Sequence, residues 1–75
     1  PPFIFPNPTN DIIHISFLEK EDNAKVELQL FDDLGRLLFF QKNGNQLDIS
    51  SLPSGNYHLV IRYKGQVWNE RVVKK

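Results

Sequence analysis

Apolar and polar residues alternate with a period of two along most of this chain, the pattern of strands that turn one face to a core. Between Asn10 and Phe17, the residues Ile13, Ile15 and Phe17 share one face and Ile12, His14 and Ser16 the other. From Ala24 to Phe31, Val26, Leu28 and Leu30 oppose Lys25, Glu27 and Gln29, and from Tyr57 to Tyr63, Tyr57, Leu59, Ile61 and Tyr63 oppose His58, Val60 and Arg62. A short apolar run, Phe3-Ile4-Phe5, is stopped by Pro6 and Pro8, which lack a backbone donor and fix φ. Asn7, ahead of Pro8, is biased towards an extended conformation. Leu47–Ile49 is a further short strand, and Gln66–Val73 closes the series. About seven short strands with frequent turn signals predict an all-β, immunoglobulin-like antiparallel sandwich without a helix.

Turn chemistry sets the expected registers. Asp32-Asp33-Leu34-Gly35 suits a type I turn extended by a glycine of positive φ into a three-residue hairpin loop. In that register Leu30 faces Leu38 and Leu28 faces Phe40, leaving Phe31, Leu37 and Phe39 on the other side. A strand apolar on both faces is expected to lie beneath a neighbouring segment, with an exposed partner-binding patch as the alternative. Asn43-Gly44 is a second turn signal, and Glu19-Lys20-Glu21-Asp22-Asn23 reads as a charged loop. Lys64-Gly65 as a two-residue turn pairs Ile61 with Trp68 and Tyr57 with Val72. It also sets Leu59 against Glu70, which calls for a bulge or a place at the sheet margin. The predicted core holds Leu28, Leu30, Leu59, Ile61 and Trp68, with Val72 as an anchor and Lys74 and Lys75 past the sheet.

Composition narrows the function. A chain of 75 residues buries only about 60% of its unfolded surface, leaving little room for an enclosed substrate cavity. Lys and Arg number 9, as do Asp and Glu, so the basic excess of a nucleic-acid binder is absent. There is no cysteine, hence no disulfide or thiolate chemistry, and no methionine, so the chain reads as a piece of something longer. No apolar stretch reaches the roughly 18 residues of a membrane span, and nothing resembles a signal peptide. The histidines, His14 and His58, fall on polar strand faces; Ser16 or Ser54 could be set beside them, but nothing marks a triad, and no enzyme is expected. Two distant histidines do not make a zinc site, turn formation accounts for Asp32 without calcium, and no metal or cofactor is expected. Tyr57, Tyr63 and Trp68 share the face of the last hairpin and could form a sugar platform, but a small sandwich needs such rings in its core.

Four segments in order give the chain a likeness: Phe5-Pro6-Asn7-Pro8-Thr9-Asn10; Phe31-Asp32-Asp33-Leu34-Gly35-Arg36-Leu37; Leu47-Asp48-Ile49-Ser50-Ser51-Leu52-Pro53-Ser54-Gly55-Asn56-Tyr57; and Arg71-Val72-Val73-Lys74-Lys75. Together they resemble the type A carboxy-terminal sorting domain of the type IX (Por) secretion system of Bacteroidota, over nearly the whole chain. Phe5 stands where that family usually has Tyr, and Asn56 where it usually has a β-branched residue. The resemblance implies a single sorting domain over residues 1–75, the tail of a larger secreted cargo protein that crosses the periplasm. It implies recognition by the outer-membrane translocon, removal by a sortase-like cysteine peptidase, and delivery of the cargo to the outer membrane, cell surface or medium. On this resemblance the positions of partner recognition are Pro6, Asn7, Pro8, Asp32, Gly35, Arg36, Leu52, Pro53, Gly55, Tyr57, Val72, Val73, Lys74 and Lys75. The last strand would offer its backbone edge for strand addition, and an edge strand leaves room for a homodimer. The rival reading is an adhesive or carbohydrate-binding module of a surface protein.

Overall fold

A computed structural model describes residues 2–16 and 25–75. Seven strands are formed: β1 (Phe3–Phe5), β2 (Ile12–Ser16), β3 (Glu27–Phe31), β4 (Leu37–Lys42), β5 (Gln46–Asp48), β6 (Gly55–Tyr63) and β7 (Gln66–Lys74). They build two antiparallel sheets, ordered β1-β2-β5 and β4-β3-β6-β7, and the described residues contain no α-helix. The predicted all-β sandwich is the fold. Phe17 and the charged segment Glu19-Lys20-Glu21-Asp22-Asn23 lie outside the described residues.

The core lies between the sheets and follows the period-two pattern. Ile13, Ile15 and Leu47 come from the smaller sheet; Leu28, Leu30, Leu59, Ile61 and Val72 come from the larger, and all are buried. Tyr57 and Tyr63 are buried with them, so these rings are core and not a sugar platform. Trp68 is only half-buried, packed against the cluster, because β7 is an edge strand and gives it cover on one side. The last hairpin has the expected register: Tyr57 pairs with Val72, Ile61 with Trp68 and Leu59 with Glu70, without a bulge. Lys64 and Gly65 both take positive φ, 52° and 76°, in the connecting turn.

Two expectations are corrected in the other hairpin. Asp32 and Arg36 do close the three-residue loop, and Phe31 pairs with Leu37. Beyond that pair the register shifts, so that Leu30 meets Phe39 and Leu28 meets Gln41, not Leu38 and Phe40. Leu38 occupies the bulge; one extra residue exchanges the two faces of the strand downstream. Phe39 therefore turns to the core, half-buried, while Phe40 turns outward. No described segment covers that outer face, and Leu34, Leu37, Leu38 and Phe40 are exposed.

The end of the chain also departs from expectation. Lys74 is the last residue of β7, half-buried, paired with Gly55 and bridged in parallel to Thr9. It belongs to the sheet because residues 6–9 run along the outer side of β7 and extend the pairing. Val72→Ala removes two buried methyl groups from the closed end of the core and should cost about 2 kcal/mol, read as a lower urea midpoint. Lys75→Ala, exposed and bonded only through its backbone, should change stability by less than about 0.5 kcal/mol.

Candidate recognition site

The segment between β1 and β2 crosses from the edge of the smaller sheet to the edge of the larger one. Its Asn7 side chain spans two backbone groups of β7: Nδ2 donates to Arg71 O at 2.8 Å, and Oδ1 accepts from Val73 N–H at 3.0 Å. Thr9 then continues as a strand would. Its N–H donates to Val73 O at 2.9 Å and its carbonyl accepts from Lys75 N–H at 2.9 Å. The Thr9 hydroxyl donates to Ile12 O at 3.2 Å, so this polar residue, 2% exposed, is buried with a partner. A primary amide suits position 7 because it carries a donor and an acceptor side by side, as a peptide unit does. Pro6 and Pro8 flank it with no N–H of their own to satisfy. The first and last motifs are thus one structure.

The middle two motifs meet as well. Asp32 organises its turn: Oδ1 accepts from the N–H of Leu34 at 3.0 Å and of Arg36 at 2.9 Å, and Oδ2 receives Arg36 Nε at 2.6 Å. Gly35 sits at φ 84°, a conformation that disfavours any side chain, and its N–H donates to Asp32 O at 3.0 Å. The spacing Asp32, Gly35, Arg36 is therefore accounted for by one closed loop. The Arg36 backbone N–H, first, and then its side chain hold the Asp32 carboxyl below its ordinary value. Asp48 is likewise lowered by Ser50, through its hydroxyl and its backbone N–H.

Leu52-Pro53-Ser54-Gly55-Asn56-Tyr57 forms a second closed corner. The Tyr57 hydroxyl donates back to Pro53 O at 2.5 Å, the arrangement of a tyrosine corner in immunoglobulin-like sandwiches. Gly55, at φ 156°, lets the chain turn from that loop into β6.

Register brings all four segments to one end of the sandwich. Phe31, just before the Asp32 turn, pairs with His58; Gly55 pairs with Lys74; Thr9 bridges to Lys74. Two open clefts, about 390 and 280 Å³, flank the Asp32 turn. The larger is lined by Asp32, Asp33, Gly35, Asn56, Tyr57, His58 and Arg71. The smaller adds Arg36, Leu38, Leu52, Pro53, Ser54 and Gly55 to Asp32, Asp33, Asn56 and Tyr57. Ser54 and His58 line different clefts, and His14 stacks on Phe5 with ring centroids 5.4 Å apart. No group of three or more acidic or histidine side chains placed to hold a metal occurs among the described residues.

Of the sequence-predicted positions, Pro6, Asn7, Pro8, Val72, Val73, Lys74 and Lys75 make up the strap and strand, and Asp32, Gly35, Arg36, Leu52, Pro53, Gly55 and Tyr57 the adjoining turn and corner. Thr9, Asn56 and Arg71, quoted within the family segments, and His58, read as a polar-face histidine, also belong to this end but were not among the predicted recognition positions. Thr9 breaks no periodicity and its neighbour in space lies 65 residues away, so spacing gives no sign of its pairing.

The chain belongs to the secretion system C-terminal sorting domain family, whose sequence profile it matches over residues 3–75. No curated protein matches it. Membership defines a sorting signal of the type IX system, which directs export to the outer membrane, the cell surface or the medium.

Two outcomes follow from the geometry. Asn7→Asp keeps the acceptor for Val73 but replaces the donor to Arg71 O by an oxygen. The loss should be about 1–2 kcal/mol, seen in urea unfolding together with faster hydrogen exchange at the Val73 amide. For Asp32 the folded-state value is lowered, so its contribution is complete above the unfolded value of about 3.9 and fades as pH falls through the lowered one. An NMR titration should show the Asp32 carboxyl protonating below an exposed Asp, and Asp32→Asn should remove that part of the acid sensitivity.

Proposed function

We propose that this domain is a non-enzymatic signal read in its folded state by the type IX outer-membrane translocon, and then removed by a sortase-like cysteine peptidase. Its cargo precedes it in the same parent chain and passes through the periplasm before reaching the outer membrane, the cell surface or the medium. One observation carries this reading. The four family motifs, scattered from Pro6 to Lys75, are hydrogen-bonded or packed into one end of the sandwich. A recogniser of that end reads shape and backbone fixed by turns, which needs no substrate pocket. The recognition positions are then Pro6, Asn7, Pro8, Asp32, Gly35, Arg36, Leu52, Pro53, Gly55, Tyr57, Val72, Val73, Lys74 and Lys75, most of them acting through the local structure they build.

Closure of β7 alters how the last strand is presented. From the Arg71 carbonyl to the Lys75 N–H its outward backbone groups are already used by Asn7 and Thr9, so a reader meets the strap and the side chains of Val73 and Lys74 instead of a bare edge.

A reporter carrying a general-export signal and residues 1–75 should reach the surface of a type IX-competent host. Its retention in the periplasm with the translocon intact overturns the proposal. The Lys74→Ala, Lys75→Ala double variant leaves every backbone bond in place and should hold stability to within about 0.5 kcal/mol per site. Reduced export at unchanged thermal stability shows that the machinery reads the basic pair; unchanged export assigns recognition to the folded strap and turns.

A further inference from the structure

The larger sheet has two edges, and they differ. Along β7 the strap pairs Arg71 O, both backbone groups of Val73 and the Lys75 N–H, and it stops short of Val67 and Asn69. Along β4 no strand lies on the outer side among the described residues. The register identifies what is left open. Asp32 bonds to Arg36 and Asn43 bonds to Val26 across this hairpin, so the intervening alternation, reset by the Leu38 bulge, turns the N–H and C=O of Leu37, Phe40 and Lys42 away from β3. The side chains of Leu37 and Phe40 are 51% and 52% exposed on the outer face, beside Phe31 and Val60. Sheet edges are ordinarily blunted by charge, proline or cover. Here the charges stand only at the two ends, Arg36 and Lys42.

We propose that β4 is a strand-addition site for an extended segment of another protein, apolar where it meets Leu37 and Phe40 and acidic where it meets Arg36 and Lys42. Two features select this occupant. A lipid surface covers apolar side chains but leaves three sets of backbone groups without partners, which hydrocarbon penalises heavily; an added strand covers the one and pairs the other. A second copy joined antiparallel through β4 carries Arg36 of one copy towards Lys42 of the other at both ends, and like charges oppose that pairing. Arg36 and Lys42 lie near Asp32 and Glu27, at 2.6 and 3.7 Å, yet their side chains are 73% and 58% exposed and accessible to a further carboxylate. That the segment belongs to the secretion apparatus rests on the sorting-signal reading; the edge chemistry does not.

The test is an NMR titration of the purified chain with a synthetic peptide of alternating valine and threonine flanked by glutamates, against the same peptide flanked by lysines. Shifts should concentrate on the amides of Leu37, Phe40 and Lys42, with the lysine-flanked peptide about tenfold weaker, the equivalent of about 1.4 kcal/mol. Phe40→Pro, which removes an outward N–H without taking a bond from the β3 ladder, should abolish the shifts. Leu37→Thr with Phe40→Thr, which trims the apolar face with a strand-favouring residue, should weaken them. Val67→Thr, 48% exposed at the far side of the same sheet, should not. Absence of binding, binding at another edge, or equal binding of both peptides overturns the proposal. So does co-sedimentation with phosphatidylglycerol vesicles that is lost in the double threonine variant, which assigns the face to a membrane, or a dimer in sedimentation equilibrium that Phe40→Pro dissolves, which assigns it to a second copy. In the host, where the wild-type fusion is exported, the β4 variants should lower export while Val67→Thr does not; equal export of all of them overturns a role for β4 in sorting. A wild-type fusion that is not exported counts against the sorting reading alone, because the titration stands without it.

Discussion

The strap of residues 6–9 against β7 is the contact on which the rest of the domain depends. Four hydrogen bonds, two from the Asn7 amide and two from the Thr9 backbone, join the edge of one sheet to the edge of the other. Without them the side of the sandwich between β1 and β7 is open. Val72, fully buried just inside, would then meet water, and the outward groups of Arg71 and Val73 would lose their partners. A small chain has little surplus core to absorb such a loss. The polar strap and the apolar anchor hold one another in place.

The same logic runs through the other motifs. The carboxylate of Asp32 satisfies two backbone donors inside its own loop, and the Tyr57 hydroxyl closes the corner before β6. Family positions that look like a recognition code are, atom by atom, the means by which turns are fixed. On the proposed reading, shape is the readable quantity, and the clefts beside Asp32 are its relief.

Much of this was legible in the sequence because it is local. Period-two alternation located the strands, set Ile13 and Ile15 on one face and selected Leu28, Leu30, Leu59 and Ile61 for the core; Trp68, selected with them, is only half-buried because β7 is an edge. Lys64-Gly65 set the register of the last hairpin, down to Leu59 against Glu70. The Asp32–Gly35 turn was equally plain, but the Leu38 bulge was not. In Leu37-Leu38-Phe39-Phe40 either face can pass for the inner one, so hydrophobicity does not fix register there. The outward turn of Phe40, and the exposed face it creates, follow from that ambiguity. Asn7 reads locally as a residue held between two prolines, while its bonding partners lie 64 and 66 positions away. Such pairing leaves no trace in spacing. For the candidate site, the sequence supplied the members, and topology alone showed that they form a single end.

The distance in sequence between Asn7 and β7 has a bearing on timing. Contacts this remote form late, since closing so large a loop precedes any reward from the bonds it makes. Residues 1–65 can pair β1 with β2 and β3 with β6, but the strap has nothing to grip until Arg71 to Lys75 have been synthesised. A chain interrupted a few residues early would carry every internal motif and still lack the closed end. The closed end is thus the last part of the domain to be assembled, and it forms only when two segments from opposite ends of the fold are both in place.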